Sequence, residues 1–146
     1  MSKSKQKYIS KFKTSIFYEQ DDKLFFLYFM YMVEMKKNNY LSAFAYYKNF
    51  FDRISAHLAY TINGNQAKGK PNYKGYYKEG AFKQLYAGIS DADKIIEKAH
   101  EIRNSNPLSH SSAELLDNND TAADILSNIK QLSNLIETKI AEYQSL

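Results

Sequence analysis

The sequence contains no cysteine, which excludes disulfide bonds and thiolate metal sites and suits a reducing cytoplasm. Only five glycines and two prolines occur in 146 residues, as is typical of helices joined by short connections. Long hydrophobic runs are also missing, because the apolar stretch Leu24–Val33 is far shorter than the ~20 residues of a membrane-spanning helix. This stretch is predicted to be a buried helix or a subunit-contact face. No signal-peptide pattern is found, so we expect a cytoplasmic protein without membrane contact.

Charge is unevenly distributed along the chain. Residues 1–80 hold 14 lysines and arginines against 6 acidic residues, a net charge of +8, whereas residues 81–146 hold 6 against 10, a net charge of −4. A basic half is typical of a surface that binds a polyanion such as nucleic acid, and equally of an ordinary solvated lysine surface. Charge alone leaves both interpretations open.

Apolar residues recur at helical spacing through most of the chain. They predict an all-α fold, an antiparallel bundle of four to five helices. Residues 1–20 are predicted to be a basic N-terminal arm or first helix, and residues 21–146 a single helical-bundle domain. The main predicted helices run from Asp21 or Asp22 to about Lys37, from Tyr40 to about Ile62, from a Ser90 cap to Arg103, over 107–117, and from a Thr121 cap onward.

The segment 63–80 interrupts the helical pattern. It contains four of the five glycines, one proline, four lysines and three tyrosines, so it is predicted to be a loop. Tyrosines of such a loop can stack on bases while its lysines follow phosphates, which makes Lys68, Lys70, Tyr73 and Lys74 candidate substrate-binding residues. The alternative is a loop whose tyrosines rest on the bundle surface.

Arg103, Asn104 and His110 stand where one predicted helix stops and the next begins. On a helical wheel Arg103 falls within the apolar arc of its helix, where an unpaired guanidinium would be costly, so we expect it to face a partner, a ligand or a subunit seam. Arginine binds phosphate through several donors, and histidine transfers protons near neutral pH. The alternative is structural: Arg103 pairs with a helix C-terminus, Glu97 or Asp120, and His110 caps a helix.

Arg103-Asn104 followed after five intervening residues by His110 resembles the motif of the HEPN superfamily (higher eukaryotes and prokaryotes nucleotide-binding domains), which are small helical bundles. The resemblance implies a metal-independent endoribonuclease from a toxin–antitoxin, abortive-infection or other anti-phage system. It also implies a homodimer whose two motifs form one cleft, and an antitoxin or defence-system partner. One subgroup has a tyrosine two residues after the histidine, where this chain has Ser112.

RNA cleavage without metal requires proton transfer and stabilisation of a crowded phosphorane, and it leaves 2′,3′-cyclic phosphate and 5′-hydroxyl ends. We therefore assign proton transfer to His110, phosphate stabilisation to Arg103 and a supporting role to Asn104. Two alternatives stay open: a non-catalytic helical module for protein–protein binding, and a nucleotide sensor that does not cleave.

The sequence has two other histidines beside His110. His100 lies three residues before Arg103, next to the same face, and is a candidate contact for the RNA substrate or simply a partly exposed helix residue. His57 is predicted to be a hydrogen-bonded histidine of the bundle interior. The three histidines have no metal-ligand spacing, so neither a metal nor a cofactor is expected.

Overall fold

The computed structural model of the chain describes residues 22–62, 85–104 and 118–144. This part is helical and contains no strand. Its helices are α1 (Asp22–Lys36), α2 (Tyr40–Ile62), α3 (Ala92–Asn104) and α4 (Asn118–Gln144). The prediction of an all-α helical bundle is confirmed. Residues 1–20, the loop at 63–80 and the predicted short helix at 107–117 lie outside the described residues.

The turn between α1 and α2 follows from two adjacent asparagines. Asn38 adopts φ 59°, a left-handed conformation that asparagine tolerates better than most residues. The amide of Asn38 donates to the carbonyl of Met35 at 3.1 Å and that of Asn39 to Glu34 at 3.0 Å, which is the Schellman pattern of a helix end. The carbonyl of Asn39 then accepts the first hydrogen bond of α2 from Ala43. The predicted end of α1 and start of α2 are confirmed.

The second helix is the centre of the bundle and packs against each of the other three. It runs antiparallel to α1, since Tyr28 meets Phe50 at 5.3 Å and Tyr31 meets Tyr47 at 4.9 Å between ring centroids. Its own core side chains are fully enclosed: Phe44, Tyr47, Phe50, Phe51, Ile54 and Leu58. The side chains of α2 therefore supply most of the aromatic core.

The third and fourth helices also pack antiparallel. The side-chain amide of Asn128 donates to the carbonyl of Ile95 at 3.1 Å, and Lys98 lies 3.9 Å from Asp124. The buried face of α4 includes four residues that recur at helical spacing: Ile125, Ile129, Leu132 and Ile136.

Two helix starts differ from the sequence prediction. Asp91, not Ser90, has the carbonyl that accepts the first hydrogen bond of α3, from Ile95 at 3.0 Å, and it adopts φ 62°. The last helix begins at Asn118, three residues before the predicted cap Thr121. Polar residues such as these are favourable both at a cap and inside a first turn, where they face the positive end of the helix dipole. Composition alone therefore does not choose among neighbouring starting positions.

The first helix is less enclosed than its apolar sequence led us to expect. Only Leu24 and Tyr28 are buried in it, while Phe26 is 54% and Phe29 37% exposed. Of the other helices that the structure describes, α2 is its main neighbour. Among the described residues, no helix is both long and apolar enough to span a bilayer.

One interhelical hydrogen bond gives a stability prediction. The hydroxyl of Tyr47, 1% exposed on α2, is bonded to the Ser133 hydroxyl of α4. Replacing Ser133 with alanine should lower the free energy of unfolding by about 1–3 kcal/mol, because a buried hydroxyl loses its partner. Denaturant unfolding followed by circular dichroism measures this change. In the Tyr47→Phe background the same Ser133→Ala substitution should cost much less, and equal costs in both backgrounds would contradict the assignment.

Candidate functional site

Arg103 lies in the last turn of α3 and its side chain is exposed. Its spacing from Ile96 and Ala99 places Arg103 within the apolar arc of this helix, as the sequence predicts, but its side chain is exposed and not enclosed. The buried positions of α3 are Ala92, Ile96, Ala99 and Ile102. At a helix end, a long side chain can extend its charged group into water while its methylene groups remain against the protein. Arg103 therefore presents its guanidinium at the surface.

No ion pair of Arg103 is found among the side chains that the structure describes. Glu97, one of the partners considered from the sequence, is exposed. The side chain of Asp120, the other, lies outside the described residues. An exposed guanidinium that no described carboxylate neutralises is suited to bind an anion such as phosphate.

His100 lies one turn before Arg103 on α3 and is half-buried. Burial lowers the pKa of its imidazole, the positive charge of Lys48 lowers it further, the carboxylate of Asp52 raises it, and the charge of Arg103 lowers it. The net direction is downward, so His100 is mostly neutral near pH 7. A neutral imidazole can accept a proton or donate a hydrogen bond to a phosphate oxygen.

Lys48 and Asp52 are the two residues of α2 whose charges act on His100. The side chain of Lys48 is 1% exposed, and its ammonium lies 2.5 Å from a carboxylate oxygen of Asp52, whose side chain is 21% exposed. Burial lowers the pKa of Lys48, against the opposing effect of Asp52, and the charge of Arg103 lowers it further. The charges of Lys48, Asp52 and Arg103 thus each act on His100, and we call these four residues the α2–α3 cluster.

Sequence reasoning missed Lys48 and Asp52, although a signal was present. Lys48 follows Phe44 by four residues and precedes Phe51 by three, which places it on the buried face of α2. This is the argument that singled out Arg103 from its helical position. Applied to α2, it identifies a charged residue that is in fact buried.

The other predicted site residues have varied positions. The backbone of Asn104 ends α3, directly after Arg103, but its side chain lies outside the described residues. His57 is 2% exposed, in agreement with the prediction of an interior histidine. The remaining candidates all lie outside the described residues: His110, Lys68, Lys70, Tyr73 and Lys74. Of the sequence-predicted site, the structure therefore brings together Arg103 and His100.

Comparison with known proteins identifies the domain. Residues 11–144 match the family model described as "HEPN like, Abia C-terminal domain". No curated protein and no solved structure matches the chain. The match spans all four described helices and the segment that holds Arg103, Asn104 and His110. The chain therefore belongs to the family of HEPN-like domains named after the C-terminal domain of the abortive infection protein AbiA.

Proposed function

We propose that this chain is a metal-independent endoribonuclease of HEPN type that acts in a bacterial anti-phage defence system, whether of the abortive-infection or the toxin–antitoxin kind. The observation that carries the proposal is the exposed guanidinium of Arg103, one helical turn from His100, at the end of α3 in a HEPN-like chain. The family description supports a role in defence, because it names an abortive infection protein. Function in the cytoplasm agrees with such a role.

In the proposed reaction, an arginine binds the phosphate and a histidine transfers protons. The guanidinium of Arg103 binds a phosphate of the RNA and stabilises the charge that develops on the phosphorane. His110 transfers protons to and from the ribose and the leaving oxygen, and Asn104 supports it. Cleavage produces 2′,3′-cyclic phosphate and 5′-hydroxyl ends and requires no metal ion. Lys68, Lys70, Tyr73 and Lys74 extend the contact with RNA.

Two copies of the chain are proposed to form the nuclease, with their two motifs facing one cleft. The exposed rings of Phe26 and Phe29 give α1 an apolar face suited to contact another protein. That face also favours the second candidate function, a non-catalytic HEPN-like module that binds a partner of the defence system through α1. The two candidates differ in whether an assembled dimer cleaves RNA.

The test is incubation of the purified dimer with labelled RNA in the presence of EDTA, followed by analysis of the product ends. The Arg103→Ala variant should cleave about 100- to 1000-fold more slowly, the usual cost of losing one preorganised donor to a reacting anion. Its free energy of unfolding should stay within about 0.5 kcal/mol of the wild type, since Arg103 is exposed and has no ion pair with a described residue.

The control variant for this test is Arg103→Lys, which retains the charge without the forked donors and should fall between the wild type and Arg103→Ala. Cleavage at the wild-type rate by Arg103→Ala would contradict the proposed site. If a well-folded dimer cleaves no RNA, the non-catalytic binding module is the better interpretation.

A further inference from the structure

Asn128 is a buried amide at the interface between α3 and α4. Its side chain is 1% exposed, and its Nδ2 group donates to the backbone carbonyl oxygen of Ile95 at 3.1 Å. Its Oδ1 atom has no hydrogen-bond partner among the described residues. Burying an amide with one polar atom unpaired costs free energy, and a single net hydrogen bond recovers only part of that cost. Stability alone therefore does not explain an asparagine at this position.

The side chains around Asn128 do little to fix where α3 sits along α4. Among the described side chains, the buried residues of α3 are alanines and isoleucines, and those of α4 other than Asn128 are isoleucines and leucines. Apolar contact has no preferred direction, so aliphatic faces of this kind can pack in more than one register. The ion pair of Lys98 with Asp124 is exposed and 3.9 Å long, and such pairs are weak.

The hydrogen bond of Asn128 differs from these contacts because it has a required geometry. An N–H donor and a carbonyl oxygen must meet at the right distance and angle, which two helices satisfy in one register only. The acceptor belongs to the backbone of α3, so the bond responds to the position of the helix and not to its side chains. A single buried asparagine between apolar helix faces can specify their register at a cost in stability.

We propose that Asn128 is a positioning residue that fixes the register of α3 on α4 and thereby the location of the Arg103 guanidinium. Arg103 follows Ile95 by eight residues in the same helix, about 12 Å along its axis. A shift of α3 by one helical turn would move Arg103 by about 5 Å. The register claim stands on the structure, whereas its consequence for RNA cleavage rests on the proposed function.

Distances between spin labels test the register without any measurement of activity. The chain has no cysteine, so labels can be attached through Glu101→Cys on α3 and Gln131→Cys on α4, both at exposed positions. Pulsed electron paramagnetic resonance should give one narrow distance in this labelled protein. In the Asn128→Leu background a second distance should appear, shifted by up to about 5 Å, one helical turn.

Two further variants make the distance measurement decisive. Asn134→Leu places the same substitution at an exposed asparagine of α4 and should retain the single distance. Asn128→Ala removes the amide without adding bulk and should show the second distance even if Asn128→Leu does not fold. A single unchanged distance in either Asn128 variant, with circular dichroism showing it folded, would mark the hydrogen bond as an ordinary contact and overturn the inference.

RNA cleavage tests the consequence for Arg103. Asn128→Leu should lower kcat by up to about a hundredfold, since a displacement of about 1 Å can have that effect. Because both substitutions act through one guanidinium, Asn128→Leu/Arg103→Ala should cleave about as fast as Arg103→Ala. Additive losses, or wild-type cleavage by Asn128→Leu, would overturn the positioning role while the proposed function stands. If the wild type cleaves no RNA, the proposed function fails, and the label distances still decide whether Asn128 fixes the register.

Discussion

Replacing Asp52 with asparagine should lower the free energy of unfolding by about 3–5 kcal/mol at neutral pH. The substitution removes the carboxylate 2.5 Å from the ammonium of Lys48 and leaves a positive charge in a site that is 1% exposed. An uncompensated buried charge is among the most destabilising results of a single substitution. Urea unfolding followed by circular dichroism measures the loss, which is large against the total stability of a domain of this size.

The pH dependence of this loss has a definite sign. Burial lowers the pKa of Lys48 in the folded protein below its ordinary value of 10.5. At pH values between the lowered pKa and 10.5, the unfolded chain therefore binds more protons than the folded one. Stability therefore rises with pH in that range. Without Asp52 the pKa of Lys48 falls further, because the carboxylate raises it. The deficit of Asp52→Asn should accordingly shrink as the pH increases towards 10.5.

Two variants separate this effect from a general loss of surface charge. Lys48→Met/Asp52→Asn should recover most of the stability, because it replaces the buried charge with an apolar side chain of similar length. Asp124→Asn breaks an exposed pair with Lys98 at 3.9 Å and should cost less than about 1 kcal/mol. A cost for Asp52→Asn as small as that of Asp124→Asn would show that Lys48 does not carry a buried charge.

Replacing His110 with alanine should reduce the rate of RNA cleavage by about 100- to 10,000-fold, the usual contribution of a general acid or base. The expectation rests on the proposed function and on the position of His110 in the HEPN motif. The imidazole is the group that can return a proton to the leaving 5′-oxygen near pH 7, whereas Arg103 stays charged and cannot. Single-turnover cleavage of labelled RNA isolates this chemical step from binding and product release.

The His110→Ala substitution should slow only the chemical step of cleavage. RNA affinity and oligomeric state of His110→Ala should match those of the wild type, since one side chain of the transition-state machinery is removed and the phosphate contacts remain. Ser112→Ala, two residues further on, is the matched control and should cleave at the wild-type rate. A His110→Ala protein that retains most of its activity would place the proton-transfer groups elsewhere, with His100 the first residue to examine.

The fold was predictable where local chemistry offers a single solution. The two asparagines after α1 permit a left-handed residue and a new helix start within two positions, so the end of α1 and both ends of α2 were predicted within about one residue. The starts of α3 and α4 were misplaced because several adjacent polar residues can cap a helix equally well. The exposure of α1 was missed because a helix that is apolar on every side does not reveal how many neighbours will cover it.

The candidate site shows a different limit of prediction from sequence. A wheel places Arg103 and Lys48 in comparable positions, each among the apolar residues of its helix. The structure exposes the first and buries the second, because Arg103 ends its helix whereas Lys48 lies midway along the central one. Position along an element, and not periodicity alone, decides whether a charged group reaches water. The grouping of Lys48 and Asp52 with His100 depends on the packing of α2 against α3, which periodicity does not encode.

The enclosure of Lys48 has a practical consequence for chemical labelling. Lys23, Lys36, Lys37, Lys94, Lys98 and Lys130 are exposed. A reagent that acylates free amines would modify these six directly, whereas it reaches Lys48 only when the bundle opens around α2. The rate at which Lys48 is acylated would thus report how often the folded protein opens locally around α2. A ligand that holds α2 and α3 together would slow this acylation.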